Sequence, residues 1–299
     1  MHPANVLIVA VALAMFGMMP GAAQQNLGAL GAEGEPNRLQ QWLVPSPDFG
    51  SPQHAVLFRP PGDGPFPLAL IAHATTQNVL RRAQMPQPEY RALAAWLVAR
   101  GFAVLVPERP GHGATGGKYI EDQGGCDEAE YARSGRKTAD AIAAAMSFVR
   151  KQAFIRTDGI IVIGHSAGGW GALALAGEDP KDVAAIIAFA PGRGGRANDF
   201  PNQVCAPHRL IAAAGEFGKT ARIPVTWLVA ANDSYFSPTL SRQLADAFRS
   251  AGGKVEFRML GVYGSEGHWL PETEAGVKSV ARELDRALKP RLPSPAKKR

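Results

Sequence analysis

Short apolar runs alternate with longer stretches of helical spacing over most of the chain. "HAVLFRP" has strand character and stops at Pro60-Pro61-Gly62, a turn signal. "FPLALIAHA" and "FAVLVPERPG" are unbroken apolar runs of strand length. Between them, "PEYRALAAWLVARG" places Leu93, Trp96 and Leu97 on one helical face and closes on Gly101. After a polar loop, residues 128–151 read as a long Ala-rich helix. Strand "DGIIVIGH", helix "AGGWGALALAGE" and strand "VAAIIAFAP" follow. An irregular segment at 193–222, with "APHRLIAAAGEFG" as a short helix, reads as a partial cap. The order closes with strand "PVTWLVAAND", helix "SPTLSRQLADAFRSAGG", strand "KVEFRML" and one last helix, "ETEAGVKSVARELDRALK". Apolar strands without polar alternation, joined by helices, predict an α/β fold: a mostly parallel twisted sheet with helices on both faces. Such sheets bind ligands beyond the carboxyl ends of their strands, so chemistry is expected just after a strand.

The 299 residues suffice for one large domain. Its start is set by an apolar run at 6–19, too short to span a membrane, followed by Gly21 and Ala23 as small residues at a cleavage site. This predicts a signal peptide at 1–23, an exported protein (periplasmic or secreted) with no membrane span after cleavage, and a domain at 24–299. Residues 24–35 are expected to be loose and 290–299 a flexible tail. In an exported chain the two cysteines, Cys126 and Cys205, read as one disulfide. Each lies in a loop that follows a parallel strand, so both should emerge at the same end of the sheet. The net charge of +6 is scattered, with no basic patch interleaved with aromatics, which argues against a nucleic-acid partner. No H-E-x-x-H or C-x-x-C occurs, and no metal or cofactor is implied.

The candidate chemistry centres on "IIVIGHSAGGW". Ser166 follows a strand directly and opens a helix, with Gly164 and Gly168 on either side. That is the context of a nucleophile elbow, in which a sharp turn lifts the serine oxygen above the sheet. "RPGHGATGG" lacks the Gly-Lys-Ser/Thr end of a phosphate loop and reads instead as a tight loop at the rim of the site, braced by Arg109.

With "GHSAGG", "ERPGHGATGG", "AANDSYFSP" and "GSEGHWL" in this order, the chain resembles the α/β-hydrolase superfamily, and within it exported serine hydrolases of the dienelactone-hydrolase type. The resemblance covers about residues 54–288 and is specific for the superfamily, much less so for substrate. True dienelactone hydrolases carry cysteine where this chain has Ser166, so it implies a carboxylesterase acting on a small or medium ester.

Ser166 needs a base, and the superfamily order is serine, acid, histidine. Only His208 and His268 follow Ser166, and only His268 follows the last strand. His165, on a strand beside the serine, should face the other side of the sheet, and His73 reads as a brace for its loop. The acid is Asp233 or Asp199, and the resemblance favours Asp233, whose carboxylate would raise the pKa of His268. Oxyanion donors are expected from the amide of Ala167 and from the loop after "LALIAH", with Thr75 preferred and Thr76 next. Arg81 and Arg82 in that loop read as a solvated face. Two other readings stay open: a peptidase or amidase of the same fold, and a non-catalytic binding protein on a hydrolase scaffold.

Overall fold

The computed structural model describes residues 26–289, so the expected signal peptide at 1–23 and the tail at 290–299 lie outside the described residues. The strands are β1 (Gly28–Ala29), β2 (Gln40–Val44), β3 (Gln53–Phe58), β4 (Leu68–Ala72), β5 (Ala103–Pro107), β6 (Ile160–His165), β7 (Val183–Phe189), β8 (Val225–Ala230) and β9 (Val255–Leu260). They form one sheet in the order β1-β2-β3-β5-β4-β6-β7-β8-β9. From β5 to β9 along that order every neighbour is parallel, whereas β1, β2 and β3 pair antiparallel. The sheet is thus mostly parallel, as its unbroken apolar runs predict.

The parallel strands are buried on both sides. Ile160 and Val162 of β6 enter one apolar core, and Ile161 and Ile163 enter the other. The first core is covered by α3 (Tyr131–Val149), α4 (Ala167–Glu178), α5 (Pro207–Gly218) and α6 (Pro238–Ser250), the second by α2 (Arg91–Val98), α7 (Glu274–Ser279) and α8 (Ala281–Leu288). A short α1 (Val79–Ala83) sits in the loop after β4, where no helix is expected from the sequence. The helix α4 is apolar all round because nearly every one of its residues is buried.

Besides α1, three regions differ from the sequence reading. β2 and the two-residue β1 add an antiparallel edge, the latter inside the stretch expected to be loose. The two glutamines that open β2 hide it from a hydrophobic scan, and Gln40 spends its amide on the carbonyl of Gly31 (2.6 Å). The last helix is two helices, broken at Val280, whose φ of −107° and ψ of 8° leave the helical region while its side chain stays buried. In the 193–222 segment, α5 packs against α3, α4 and α6 as a helix of the sheet face. The part that lies over the open end of the sheet is 193–199 with Cys205.

Chain direction reverses at β4. Its successor β5 pairs on one side, and β6 pairs on the other. This switch point puts the loop after β4 and the turn after β6 at one crevice, the location where open α/β sheets take ligands. Cys126, in the loop before α3, and Cys205, before α5, form a disulfide with a Cα–Cα distance of 4.8 Å across 79 residues of sequence. Closing a loop of that length restricts the unfolded chain by about 4.5 kcal/mol in the chain-entropy account. It also ties the 193–206 loop to the rim of the crevice. No helix among the described residues is long and apolar enough to cross a membrane.

Candidate active site

Ser166 adopts φ 54° and ψ −117°, a strained conformation for a residue with a Cβ. The neighbouring glycines make the turn possible. A Cβ on Gly168 would sit 2.1 Å from the carbonyl oxygen of Ala72, and one on Gly164 would sit 2.5 Å from that of Gly168. The elbow is pressed against the end of β4, and only hydrogen fits between them. Ser166 and Ala167 then line a cavity of about 680 Å³ together with Thr75, Thr76, Tyr235 and Trp269. Ala167 opens α4, so its amide belongs to the positive end of a helix.

Asp233 lies just past β8 and His268 in a short 3-10 helix (Gly267–Glu272) after β9, and the fold brings them together: His268 Nδ1 is 2.8 Å from Asp233 Oδ2. The other carboxylate oxygen, Oδ1, accepts from the amides of Tyr235 (2.8 Å) and Phe236 (2.9 Å). Both side chains are buried, and the imidazole stacks on Tyr235 with centroids 4.1 Å apart. Glu266 joins their two loops, accepting from the amides of Ser234 (3.1 Å) and His268 (3.0 Å). Burial lowers the pKa of His268, and the hydrogen bond and charge of Asp233 oppose that without reversing it. The net direction is below the ordinary histidine value, opposite to the rise expected from the carboxylate alone.

Asp199 lines the rim of the same cavity but is not the partner of His268. Its side chain is 81% exposed and its contact is Arg81 at 3.8 Å, as suits a solvated turn. His208 is exposed at the start of α5. His165 points to the face of α2, away from α4, and there it has a place of its own. Its Nε2 meets the carbonyl of His268 (2.8 Å), and its Nδ1 meets the hydroxyl of Tyr90 (2.9 Å), which in turn accepts from the amide of Ala74 (3.1 Å). One chain of hydrogen bonds therefore links the loop of His268 to the loop after β4.

That second loop is held from several sides. His112 Nε2 is 2.5 Å from Thr75 Oγ1, and its Nδ1 is 2.9 Å from the carbonyl of Arg109. Burial pushes the pKa of His112 down to about 4, so it is neutral at pH 7. His73 accepts from the amide of Arg109 (3.0 Å), while the Arg109 guanidinium donates to the His73 carbonyl (2.8 Å). Arg109 does brace the rim, but from a fully buried position in which it and Arg193 flank Glu121. Burial alone would raise the pKa of Glu121, yet the two guanidiniums hold it well below the carboxylate range. Arg82 is also buried, contrary to the solvated face expected for it. It donates to the carbonyls of Thr76 (2.9 Å) and Gln77 (3.3 Å) and lies 3.6 Å over the ring of Tyr119. Its neighbour Arg81 is exposed.

Glu121, Arg193, Glu266 and the Tyr90–His165 pair have no local sequence signature. Among the described residues no group of three or more His, Cys, Asp or Glu side chains is arranged to hold a metal ion. What the geometry offers is a strained serine on a cavity floor, a helix-end amide beside it, and a buried His–Asp pair oriented by backbone amides. Those are the parts that acyl transfer through a serine requires.

The sequence matches the family model described as serine aminopeptidase, S33, over residues 87–215. No curated protein matches the chain in sequence. Among solved structures, an esterase from Pyrococcus furiosus superposes with a TM-score of 0.58 at 14% identity, covering 84% of this chain and 92% of the esterase. A puromycin-hydrolyzing peptidase from Mycobacterium tuberculosis gives a TM-score of 0.60 at 17% identity over 85% of this chain, which spans 40% of that peptidase. A protein assigned as a dienelactone hydrolase from Klebsiella pneumoniae gives 0.53 at 16% identity, covering 84% and 98% of the two chains. At these identities the likeness is one of fold.

Proposed function

We propose that this chain, whose fold is that of the α/β hydrolases, is an exported carboxylesterase that cleaves small or medium esters through an acyl-enzyme. Ser166 attacks the ester carbonyl while His268 takes its proton. The amides of Ala167 and Thr75 receive the developing oxyanion. Asp233 holds the imidazole in the tautomer that leaves Nε2 free and stabilises the imidazolium. His268 then returns the proton to the departing alcohol, and water, activated by the same base, releases the acid. The observation that carries this reading is the buried His268–Asp233 pair, whose imidazole lies 4.9 Å from the ring of His165, the residue before the strained serine of the elbow. The cavity of about 680 Å³ suits a small-molecule substrate, and the disulfide fits an oxidising compartment.

The test is labelling with a fluorophosphonate probe, which reacts with an activated serine. Mass mapping is expected to find the adduct on Ser166. No adduct, with the folded protein recovered intact, would mean a binding protein on a hydrolase scaffold. A peptidase or amidase is the second reading, favoured by the family model over 87–215. It predicts measurable turnover of aminoacyl anilides, which a carboxylesterase leaves essentially uncut.

The pH profile follows from the state of His268. Only the neutral imidazole accepts the serine proton, so kcat/KM falls as pH drops through the pKa of the free enzyme. Burial depresses that pKa, so the midpoint of the acid limb is expected below about 6.5, the unperturbed histidine value. Initial rates of ester hydrolysis across pH 4.5–9 measure it. A midpoint above 7 would show that Asp233 outweighs burial, and a flat profile would remove His268 from the reaction.

A further inference from the structure

His268 and Thr75 stand on loops outside the sheet, so their places relative to Ser166 depend on what ties those loops down. The serine itself is fixed. Its amide donates to the carbonyl of Phe189 (2.9 Å), and His165 before it pairs with β7 in register with Phe189. The His165 side chain leaves the opposite face of β6 and reaches towards both loops. Its Nε2 faces the carbonyl of His268 at 2.8 Å, so that nitrogen carries the ring proton. In the neutral ring Nδ1 is then the acceptor, and Tyr90 Oη lies 2.9 Å from it. The same Tyr90 oxygen accepts from the amide of Ala74 (3.1 Å), one peptide before the amide of Thr75. Glu272 Oε1, 3.2 Å from Nδ1 and 3.4 Å from the Tyr90 oxygen, closes the outer side of the pair.

We propose that Tyr90 and His165 are positioning residues for the reaction, tying the backbone of His268 and the loop of Thr75 to the strand that carries Ser166. This rests on the serine-hydrolase reading above and holds for an ester or an amide alike. Neither residue lines the cavity over Ser166. They act through the groups they hold. Asp233 fixes His268 through its ring, and His165 fixes it through its main chain.

The backbone of Tyr90 supports this role. It takes φ 48° and ψ 42° at the N-terminus of α2, a left-handed conformation that is uncommon for a residue of its bulk. Such a conformation persists only where the surroundings impose it, and here it delivers the hydroxyl to the buried space between His165 and the Ala74 amide. Burial also holds the pKa of Tyr90 well above the ordinary tyrosine value, so the hydroxyl keeps its proton and remains a donor. The chain runs in series from Ala74 through Tyr90 and His165 to His268. Cutting any link leaves a buried group without its partner and lets the two loops shift against Ser166.

The experiment measures kcat and KM for p-nitrophenyl acetate per reactive serine, with the sites counted by end-point labelling with the fluorophosphonate probe. Tyr90→Phe removes one oxygen and keeps the ring. It is expected to lower kcat per site by about ten- to a hundredfold, the scale of a displacement of up to about 1 Å in a reacting group, with KM changed by less than about twofold. His165→Leu cuts both ties and is expected to lose at least as much. His165→Gln keeps a donor within reach of the His268 carbonyl and is expected to recover part of that loss. Because the ties act in series, the double variant Tyr90→Phe/His165→Leu is expected to be no slower than His165→Leu alone. A purely structural role would lower the thermal midpoint and the number of reactive sites but leave kcat per site unchanged. That result in Tyr90→Phe would overturn the proposal. So would a rise in KM at constant kcat, which would put Tyr90 against the substrate, or losses that multiply in the double variant. If His165→Leu does not fold, Tyr90→Phe decides alone. If the unaltered protein takes up no probe, the serine-hydrolase reading falls and takes this one with it. Uptake of the probe without ester cleavage sinks the esterase reading only, and the same comparison is then made on an aminoacyl anilide.

Discussion

Ser166→Ala is expected to lower kcat for ester hydrolysis by roughly 10⁶-fold, the scale seen when a triad nucleophile is removed. A residue of roughly 10³–10⁴-fold over water should persist, because an oxyanion site and a binding cavity remain. The fold should not notice the change. Alanine keeps the Cβ that makes φ 54° costly, so the strain of the elbow stays as it was. The glycines that let it press on β4 are untouched. Activity and stability should therefore separate: turnover collapses, while the thermal midpoint stays within the scatter of a surface substitution. Turnover near that of the unaltered protein would end the assignment of Ser166 as nucleophile. A collapse of both quantities would mean that the hydroxyl supports the fold.

The strand–turn–helix around Ser166 was legible in the sequence because everything that makes it lies within a dozen consecutive residues. The apolar run of β6, the glycines at 164 and 168 and the apolar helix after them are a local pattern, and local patterns survive in one dimension. The parallel strands were legible for a related reason. Buried on both faces, they show as unbroken apolar runs that few other elements produce. β2 was lost because it opens with two glutamines, of which Gln41 faces solvent and Gln40 is buried only because its amide reaches the Gly31 carbonyl once the chain has folded back on itself. The break at Val280 was lost because helical spacing on either side of it is continuous, and only packing bends the chain there.

The surroundings of the site were hidden for a different reason. Glu121 in "KYIEDQGG" looks like any loop carboxylate, and Arg193 in "PGRGGR" like any loop arginine, yet they meet across 72 residues of sequence in a buried ion pair. Arg82 sits beside an exposed twin, and nothing in "NVLRRAQ" tells one from the other. What separates them is Tyr119, brought over Arg82 by a loop far along the chain. The direction of the His268 pKa is hidden on similar grounds. The partner carboxylate could be read from the sequence order, but the depth of burial that outweighs it could not.

The acid offers the sharpest test of the site, because two amides fix which way its substitute must turn. In Asp233→Asn, the carboxamide oxygen is expected to stay where Tyr235 N and Phe236 N donate, since an NH₂ group there would face two N–H donors. The amide nitrogen then faces His268 Nδ1, at the position now held by Oδ2. Two donors cannot share that contact, so Nδ1 becomes the acceptor and the imidazole proton moves to Nε2. The base would then present a proton to Ser166 instead of a lone pair. A change of this kind costs roughly 10⁴-fold in kcat in a serine protease triad, with geometry intact. The expected result here is a loss of that order in kcat with KM little changed, while the folded structure and thermal midpoint are kept. Asp199→Asn is the matched control. Its carboxylate is 81% exposed and 3.8 Å from Arg81, itself exposed, so neutralising it should alter kcat by less than about twofold. Steady-state kinetics of both variants on one ester rank them directly, and the opposite ranking would move the acid to Asp199.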